Sequence, residues 1–224
     1  MVEPLDVAMP DSGEPGLLLR DKVVELLRDA IFAGALKPGK KLTERELIEL
    51  TGVSRTSVRE ALRRLQAERL VEASESRGLR VVIPTEEEVR YIYEVREELE
   101  PLAIQFFVQR ASDEEVQALI ETRDVSGDTH DGLARIDSLI LAGCRNPILA
   151  EILGGLYARI HALRRISGTS PARRGAARRE YGKLLDAIAR RSPQAASAAA
   201  RNHVRAARSA ALVAVKLLHE ESSS

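Results

Sequence analysis

The chain is poor in aromatic residues: Phe, Trp and Tyr make up 3% of it, and Trp is absent. Aliphatic side chains and Ala must therefore fill the interior, which favours packed helices over sandwiches or barrels. A single cysteine, Cys144, excludes an internal disulfide and a cysteine-rich zinc site, and fits a reducing cytoplasm. No apolar run approaches the roughly 20 residues that span a bilayer, so no membrane partner is expected. Residues 1–16 lack the basic start and apolar stretch of a signal peptide and read as a disordered, acidic, Pro- and Gly-bearing tail. There is no phosphate-binding loop, dinucleotide fingerprint or nucleophile elbow. Nothing assigns catalysis, and the chain is not expected to be an enzyme.

What is present is ordinary in bulk and patterned in detail. At 224 residues, 44% hydrophobic and 30% charged, the chain suits a globular protein of one large or two small domains. A net charge of zero conceals three blocks. Residues 37–69 hold nine Lys/Arg against five Asp/Glu, 86–131 hold four against fourteen, and 158–216 hold fourteen against two. The last two blocks either attract each other, within the fold or across a dimer, or are solvated helix surface. The final basic block lies on Ala-rich segments with no interleaved aromatics, so no DNA contacts are assigned there.

Along the chain, 17–33 carries apolar residues at helical spacing, and Gly34 ends it. Leu36-Lys37-Pro38-Gly39 reads as a tight turn. Thr43 followed by Glu46 is a capping box for a short helix over 44–50. Gly52 breaks that helix, and Ser54 caps the next, from Arg55 to about Arg69. Val58, Ala61, Leu62 and Leu65 form its inward stripe. Residues 70–73 and 79–83 are β-prone and flank a hairpin tip at 74–78. Pro84-Thr85 marks the domain boundary. The rest reads as helices over 86–110, from 112, and near 132–144, 147–166, 172–190 and 193–220. Pro101 is a potential kink or break, and 124–131 a polar loop.

Three helices and a two-stranded wing form an arrangement that docks on DNA. The second helix of the turn lies in the major groove and offers its N-terminal residues to base edges. Those residues are Ser54, Arg55, Thr56, Ser57 and Arg59. Arg bonds guanine through two donors, and Ser or Thr reaches phosphates or bases. Arg45, on the preceding helix, reaches the backbone or groove edge. Arg77 and Gly78 at the wing tip suit a narrow minor groove, where Gly permits close approach and Arg meets negative potential. Singly, each arginine is more often ordinary helix surface than a ligand; their order along the chain favours the DNA reading.

The run Leu36-Lys37-Pro38-Gly39, Leu42-Thr43-Glu44-Arg45-Glu46-Leu47 and Gly52-Val53-Ser54-Arg55-Thr56-Ser57-Val58-Arg59-Glu60-Ala61-Leu62-Arg63-Arg64-Leu65 resembles the N-terminal domain of GntR-family repressors. The resemblance spans roughly 17–83. It implies DNA contacts at Arg45, Ser54, Arg55, Thr56, Arg59, Arg77 and Gly78. The family usually has Pro where this chain has Ser57.

Downstream, Glu94-Val95-Arg96-Glu97-Glu98-Leu99-Glu100-Pro101-Leu102-Ala103, then Asn146-Pro147-Ile148-Leu149 and Asn202-His203-Val204, resemble the FCD effector domain of the FadR subfamily. The resemblance implies an antiparallel helical bundle that dimerises and encloses a pocket for a small carboxylate, often held through a divalent metal. The metal pattern is incomplete here. Asp137 falls where the family has a His, Leu133 where it has an Asp, and Tyr181 where it has a further His. Only His203 keeps its ligand type. One imidazole and one carboxylate fall short of the three or four protein ligands usual for zinc. No metal cofactor is therefore expected; if one is held, Asp137 and His203 are its ligands, with Asp131 a further oxygen donor on realignment.

The pocket residues expected are Arg96, Asp137, Tyr181 and His203, although a pocket used only for packing is also open. Arg96 either holds a carboxylate with two donors or pairs with Glu100 at i,i+4. His161 and His219 read as surface or packing residues, and Cys144 as a small core residue.

The expected fold is mainly α: a winged helix-turn-helix over 17–84, then an all-helical, FCD-like antiparallel bundle over 85–220. The expected function is a cytoplasmic, homodimeric transcription regulator, a repressor, that reads an inverted repeat in double-stranded operator DNA and answers to a small carboxylate effector. The alternative is a dimeric DNA-binding module whose C-terminal domain only dimerises or recruits a protein partner. A helical enzyme with a DNA-binding appendage is a third, less supported reading.

Overall fold

A computed structural model describes residues 16–74, 78–125, 130–168 and 170–222. Residues 1–15 of the expected tail and the wing residue Arg77 lie outside them, while Gly16, read as the end of the tail, opens the first helix. The chain divides into two compact units, residues 1–83 and 84–224.

The first unit runs α1 (Gly16–Ala33), β1 (Lys41–Leu42), α2 (Glu44–Thr51), α3 (Arg55–Ala67), β2 (Val71–Ala73) and β3 (Leu79–Val81). Its core is aliphatic, as the composition requires. Val23, Val24, Leu27, Ala30 and Ile31 of α1 are buried, as are Val58, Ala61, Leu62 and Leu65 of α3. Local chemistry sets the helix ends. The Thr43 hydroxyl accepts from the Glu46 N–H while the Glu46 carboxylate accepts from the Thr43 N–H, so both caps of the box form. Gly52, at φ 68°, takes the left-handed conformation that ends α2, and its N–H reaches the Ile48 carbonyl. Ser54 then caps α3 through the Ser57 N–H.

The sheet has three strands in the order β1-β3-β2, where the sequence suggested only a two-stranded wing. Lys41 and Leu42 pair antiparallel with Arg80 and Leu79, and Glu72 pairs with Arg80 from the other side. Two residues carry no readable alternation, so β1 is specified by its neighbours. The Gly39 N–H donates to the Val81 carbonyl at 2.9 Å, which swings the turn after Pro38 alongside β3.

The second unit consists, in its described residues, of α4 (Glu86–Arg110), α5 (Asp113–Val125), α6 (His130–Gly143), α7 (Pro147–Ser167), α8 (Pro171–Ala189) and α9 (Pro193–Ser222). Helices α5 and α6 reach into the stretch expected to be a loop, which leaves only 126–129 between them, outside the described residues. Thr85 and Glu88 form a second capping box at the start of α4. Pro101 does not break α4; its ring is buried within the continuous helix. A Pro inside a helix costs about 3 kcal/mol. The length of α4 packed against the bundle offsets that cost.

The acidic and basic blocks meet within one chain. Glu98, Glu97 and Glu94 of α4 pair in turn with Arg201, Arg205 and Arg208 of α9, at 2.7, 2.5 and 3.6 Å, which sets the two helices antiparallel. Under this ladder lie two apolar clusters. One gathers Val89, Ile92, Tyr93, Ile160, Leu163, Val204 and Val215. The other gathers Phe107, Leu119, Ile140, Cys144, Leu153 and Leu185, which makes Cys144 the buried core residue expected of it.

Candidate nucleic-acid interface and effector cavity

The N-terminus of α3 carries the residues proposed to read DNA. Arg55 and Arg59 extend into solvent, their side chains 69% and 58% exposed. Their charges are not loose. Each Nε donates to one oxygen of Glu44, both at 2.6 Å, so a single carboxylate on α2 bridges two guanidinia on α3. The bonds from Arg59 and then Arg55 hold the Glu44 carboxyl below its ordinary pKa. The bonds to Glu44 run from Nε rather than from the Nη groups at the far end of each fork. Thr56 and Ser54 are exposed beside them. Arg45 is exposed on α2 and donates to Glu49 at 2.9 Å.

Ser57 is different. It is 8% exposed, and its hydroxyl lies 3.0 Å from that of Ser54. Its third position in α3 turns inward, so it belongs to the cap rather than to the exposed face that the sequence reading gave it. Gly78 is exposed with φ 100°, a conformation that L side chains rarely adopt.

In the helical unit, Asp137 of α6, Tyr181 of α8 and His203 of α9 line one cavity with Glu100, Ile104, Ile140, Tyr157, Leu184 and Ala200. The space open to the centre of a water molecule is about 20 Å³. That is room for a water or two. Arg96 lies fully buried behind Glu100. Its Nε and Nη2 donate to the two Glu100 oxygens at 2.8 and 3.1 Å, so the i,i+4 pair weighed in the sequence does form. Its Nη1 is buried with no hydrogen-bond partner among the described residues. Burial opposes the Arg96 charge, but Glu100 more than offsets this and the pKa is raised.

The residue that sequence reasoning missed is Arg164 of α7. Its side chain is 11% exposed, and both its Nη groups bond the two oxygens of Asp137. Nη2 also donates to the Tyr181 hydroxyl at 3.3 Å. His161, expected at the surface or in packing, is buried with Nε2 3.6 Å from Asp137 Oδ2. Burial pushes the Asp137 carboxyl up from its ordinary value, and the Arg164 guanidinium pulls against it. Burial likewise raises the Tyr181 phenol to about 12, so it stays protonated. A signal for these residues existed: Tyr157, His161 and Arg164 fall at i, i+4 and i+7, one face of a helix.

His203 presents Nδ1 to Glu180 at 2.7 Å. Burial lowers the His203 pKa, with Glu180 pulling against it, and because Glu180 is ionised it accepts the bond while His203 Nδ1–H donates. Burial opposes the Glu180 charge, but bonds from His203 and Arg173 outweigh it and hold the carboxyl at about 2.

This donor set does not fit a transition metal. Among the described residues no group of three or more His, Cys, Asp or Glu is placed to hold an ion. The Asp137 carboxylate is engaged at both oxygens by a cation already, and Glu100 is engaged at both by Arg96. A dication there would face two buried guanidinia.

A capped reading helix with exposed arginines, a small sheet beside it and a separate helical bundle define a winged helix-turn-helix DNA-binding transcription regulator. Residues 19–81 match the family described as bacterial regulatory proteins, gntR family, and residues 91–206 match the FCD domain. The chain belongs to the GntR family and carries an FCD domain. It is 27% identical over 180 residues to the HTH-type transcriptional regulator YdhC of Bacillus subtilis, spanning 76% of this chain and 80% of that protein. It is 29% identical over 162 residues to the HTH-type transcriptional regulator McbR of Escherichia coli K12, 68% of this chain and 73% of that one. In fold it is similar to a GntR transcriptional regulator from Rhodococcus sp. RHA1, with a TM-score of 0.74 at 22% identity over 86% of this chain and 97% of the other. It is also similar to E. coli McbR/YncC, with a TM-score of 0.70 at 22% identity over 83% and 93%. The family regulates transcription and is not a family of enzymes. Among the described residues no helix is long and apolar enough to cross a membrane.

Proposed function

We propose that this chain is a cytoplasmic, homodimeric repressor that binds an inverted-repeat operator in double-stranded DNA, and that a small carboxylate in the helical domain sets its operator affinity. The observation that carries the reading is the exposed Arg55–Arg59 pair at the capped N-terminus of α3. Guanidinia there meet guanine edges, and the helix N-terminus favours phosphate. Dimerisation draws support from an exposed apolar stripe on α4, with Tyr91, Val95 and Leu102 at i, i+4 and i+11, and from exposed Ile148 and Ile152 on α7. A two-fold dimer presents two reading heads and so calls for an inverted repeat.

Effector control draws support from the cavity of Asp137, Tyr181 and His203, with Arg96 and Arg164 as buried cations at its edge. The signal passes to the reading head through the junction at 84–88. Coupling of about 1–3 kcal/mol would change operator occupancy by roughly 5- to 150-fold. The small size of the cavity favours a second reading, in which the helical domain only dimerises or recruits a protein partner. A thermal-shift screen of small carboxylates, run beside operator-binding titrations, separates the two. A compound that raises the Tm and shifts operator affinity within that range supports the effector reading. A panel that changes neither supports the second.

A further inference from the structure

We infer that Asp137 is a built-in competitor for the effector: its carboxylate occupies the Arg164 guanidinium in the unliganded protein, and an incoming carboxylate binds by taking its place. The inference rests on the effector reading above and assigns the chemistry of its site.

Four observations converge. First, Arg164 already holds a carboxylate by two parallel bonds, the geometry with which arginine recognises a free carboxylate ligand. Second, Asp137 and Tyr181, both bonded to Arg164, line the cavity, so the pair forms one wall of it. Third, the displaced carboxylate has somewhere to go. His161 Nε2 lies 3.6 Å from Asp137 Oδ2, so a second basic group already stands beside the carboxylate. Fourth, Arg96 Nη1 is a fully buried donor with no hydrogen-bond partner among the described residues, and its charge acts on Asp137, Arg164 and His203 alike. The site as it stands balances two guanidinia, Arg96 and Arg164, against two carboxylates, Glu100 and Asp137. One donor is left over for an anion, and no carboxylate is left over for a metal.

In this scheme the guanidinium of Arg164 supplies the positive charge that binds the ligand. The cavity is small because it is closed. When Asp137 leaves Arg164, the wall between α6 and α7 opens and the ligand's own carboxylate rebuilds it. Because Asp137 sits on α6, Arg164 on α7 and Tyr181 on α8, the exchange alters contacts among three helices at once.

The test compares wild type with Asp137→Asn, an isosteric change that removes the competing charge and adds no space. Both proteins, dialysed against chelator, are titrated calorimetrically with sodium acetate against a sodium chloride control. Acetate is expected to bind Asp137→Asn at least tenfold more tightly than wild type, and Asp137→Asn/Arg164→Gln not at all. Equal affinity for wild type and Asp137→Asn overturns the competition, and so does acetate binding that survives in the double variant. Failure of acetate to bind both wild type and Asp137→Asn also overturns it. In that case a larger carboxylate that still shifts operator affinity would leave the effector reading standing. Should Asp137→Asn not fold, ¹⁵N spectra of the wild-type guanidinium groups replace it. A resonance that moves with acetate and is missing from Arg164→Lys supports the exchange, and an unmoved spectrum rejects it. Stoichiometric zinc or nickel retained by wild type after chelation would overturn the guanidinium's role outright.

Discussion

A single carboxylate decides how the reading arginines behave. Glu44 bonds Arg55 and Arg59 through separate oxygens, so the two side chains share a partner and cannot be independent. Each alanine substitution, Arg55→Ala or Arg59→Ala, is expected to cost about 1–3 kcal/mol in specific operator binding. The double variant should lose less than the sum, because residues that share one ion-pair partner couple. Operator titrations of the three variants measure this, and strict additivity would mean that the Glu44 bridge does not persist. His203 supports a second prediction. Its folded pKa lies below the ordinary 6.5, so the unfolded chain binds the proton more readily. The stability this contributes is complete above that ordinary value and is lost as the pH falls below it. His203→Gln should flatten that part of the stability-against-pH curve, as read by urea unfolding at a series of pH values.

At this scale the sequence was legible where chemistry is local. Ser54, Arg55 and Arg59 follow from a cap and its first helical turn. Asp137, Tyr181 and His203 came from resemblance, and they do line one cavity. Arg164 was hidden because it is one of fourteen basic residues between 158 and 216, and nothing local says which of them turns inward.

Elements were legible wherever periodicity ran long enough. Helix α4 was read with its observed ends, after the Pro84-Thr85 boundary, and the structure adds the Thr85–Glu88 capping box that fixes its start. Strand β1 was missed because two residues cannot show a period, and its pairing depends on β3, about forty positions away. Pro101 was read as a potential break because its local cost is known, while the packing that outweighs the cost is not local. Close packing also supplies a prediction at this scale. Gly143 ends α6 against α4, and a Cβ placed there would lie 2.5 Å from the Phe107 ring. Phe107 is wholly buried and has no room to retreat. Although Ala is the better helix former, Gly143→Ala should destabilise the protein, by about 1–3 kcal/mol, as overpacking of a filled core does. Denaturant unfolding checks the sign. A stabilising effect would show that the two helices move apart freely. Gly154 and Gly155 on α7 meet nothing within 4 Å, and alanine at either site should be neutral or stabilising.

The molecule as a whole carries apolar surface that its own fold leaves uncovered. Tyr91 and Val95 on α4 are 57% and 42% exposed, and Ile148 and Ile152 on α7 are 64% and 49% exposed. The charged ladder between α4 and α9 is satisfied within one chain, so it supplies no pull toward a partner. The remaining drive for association is therefore hydrophobic and should survive high salt, whereas operator binding should weaken steeply as salt releases the counterion advantage. Val95→Glu on α4 and Ile152→Glu on α7 place charges on these exposed apolar positions without entering the core. Each is expected to shift the protein toward monomer in sedimentation measurements at micromolar concentration, with helical content and unfolding cooperativity unchanged. Operator affinity should then fall, because a monomer grips one half-site, while the contribution of Arg55 to that half-site persists. A variant that stays dimeric would place the interface elsewhere. A monomeric variant with full operator affinity would remove the two-fold symmetry on which the inverted repeat depends.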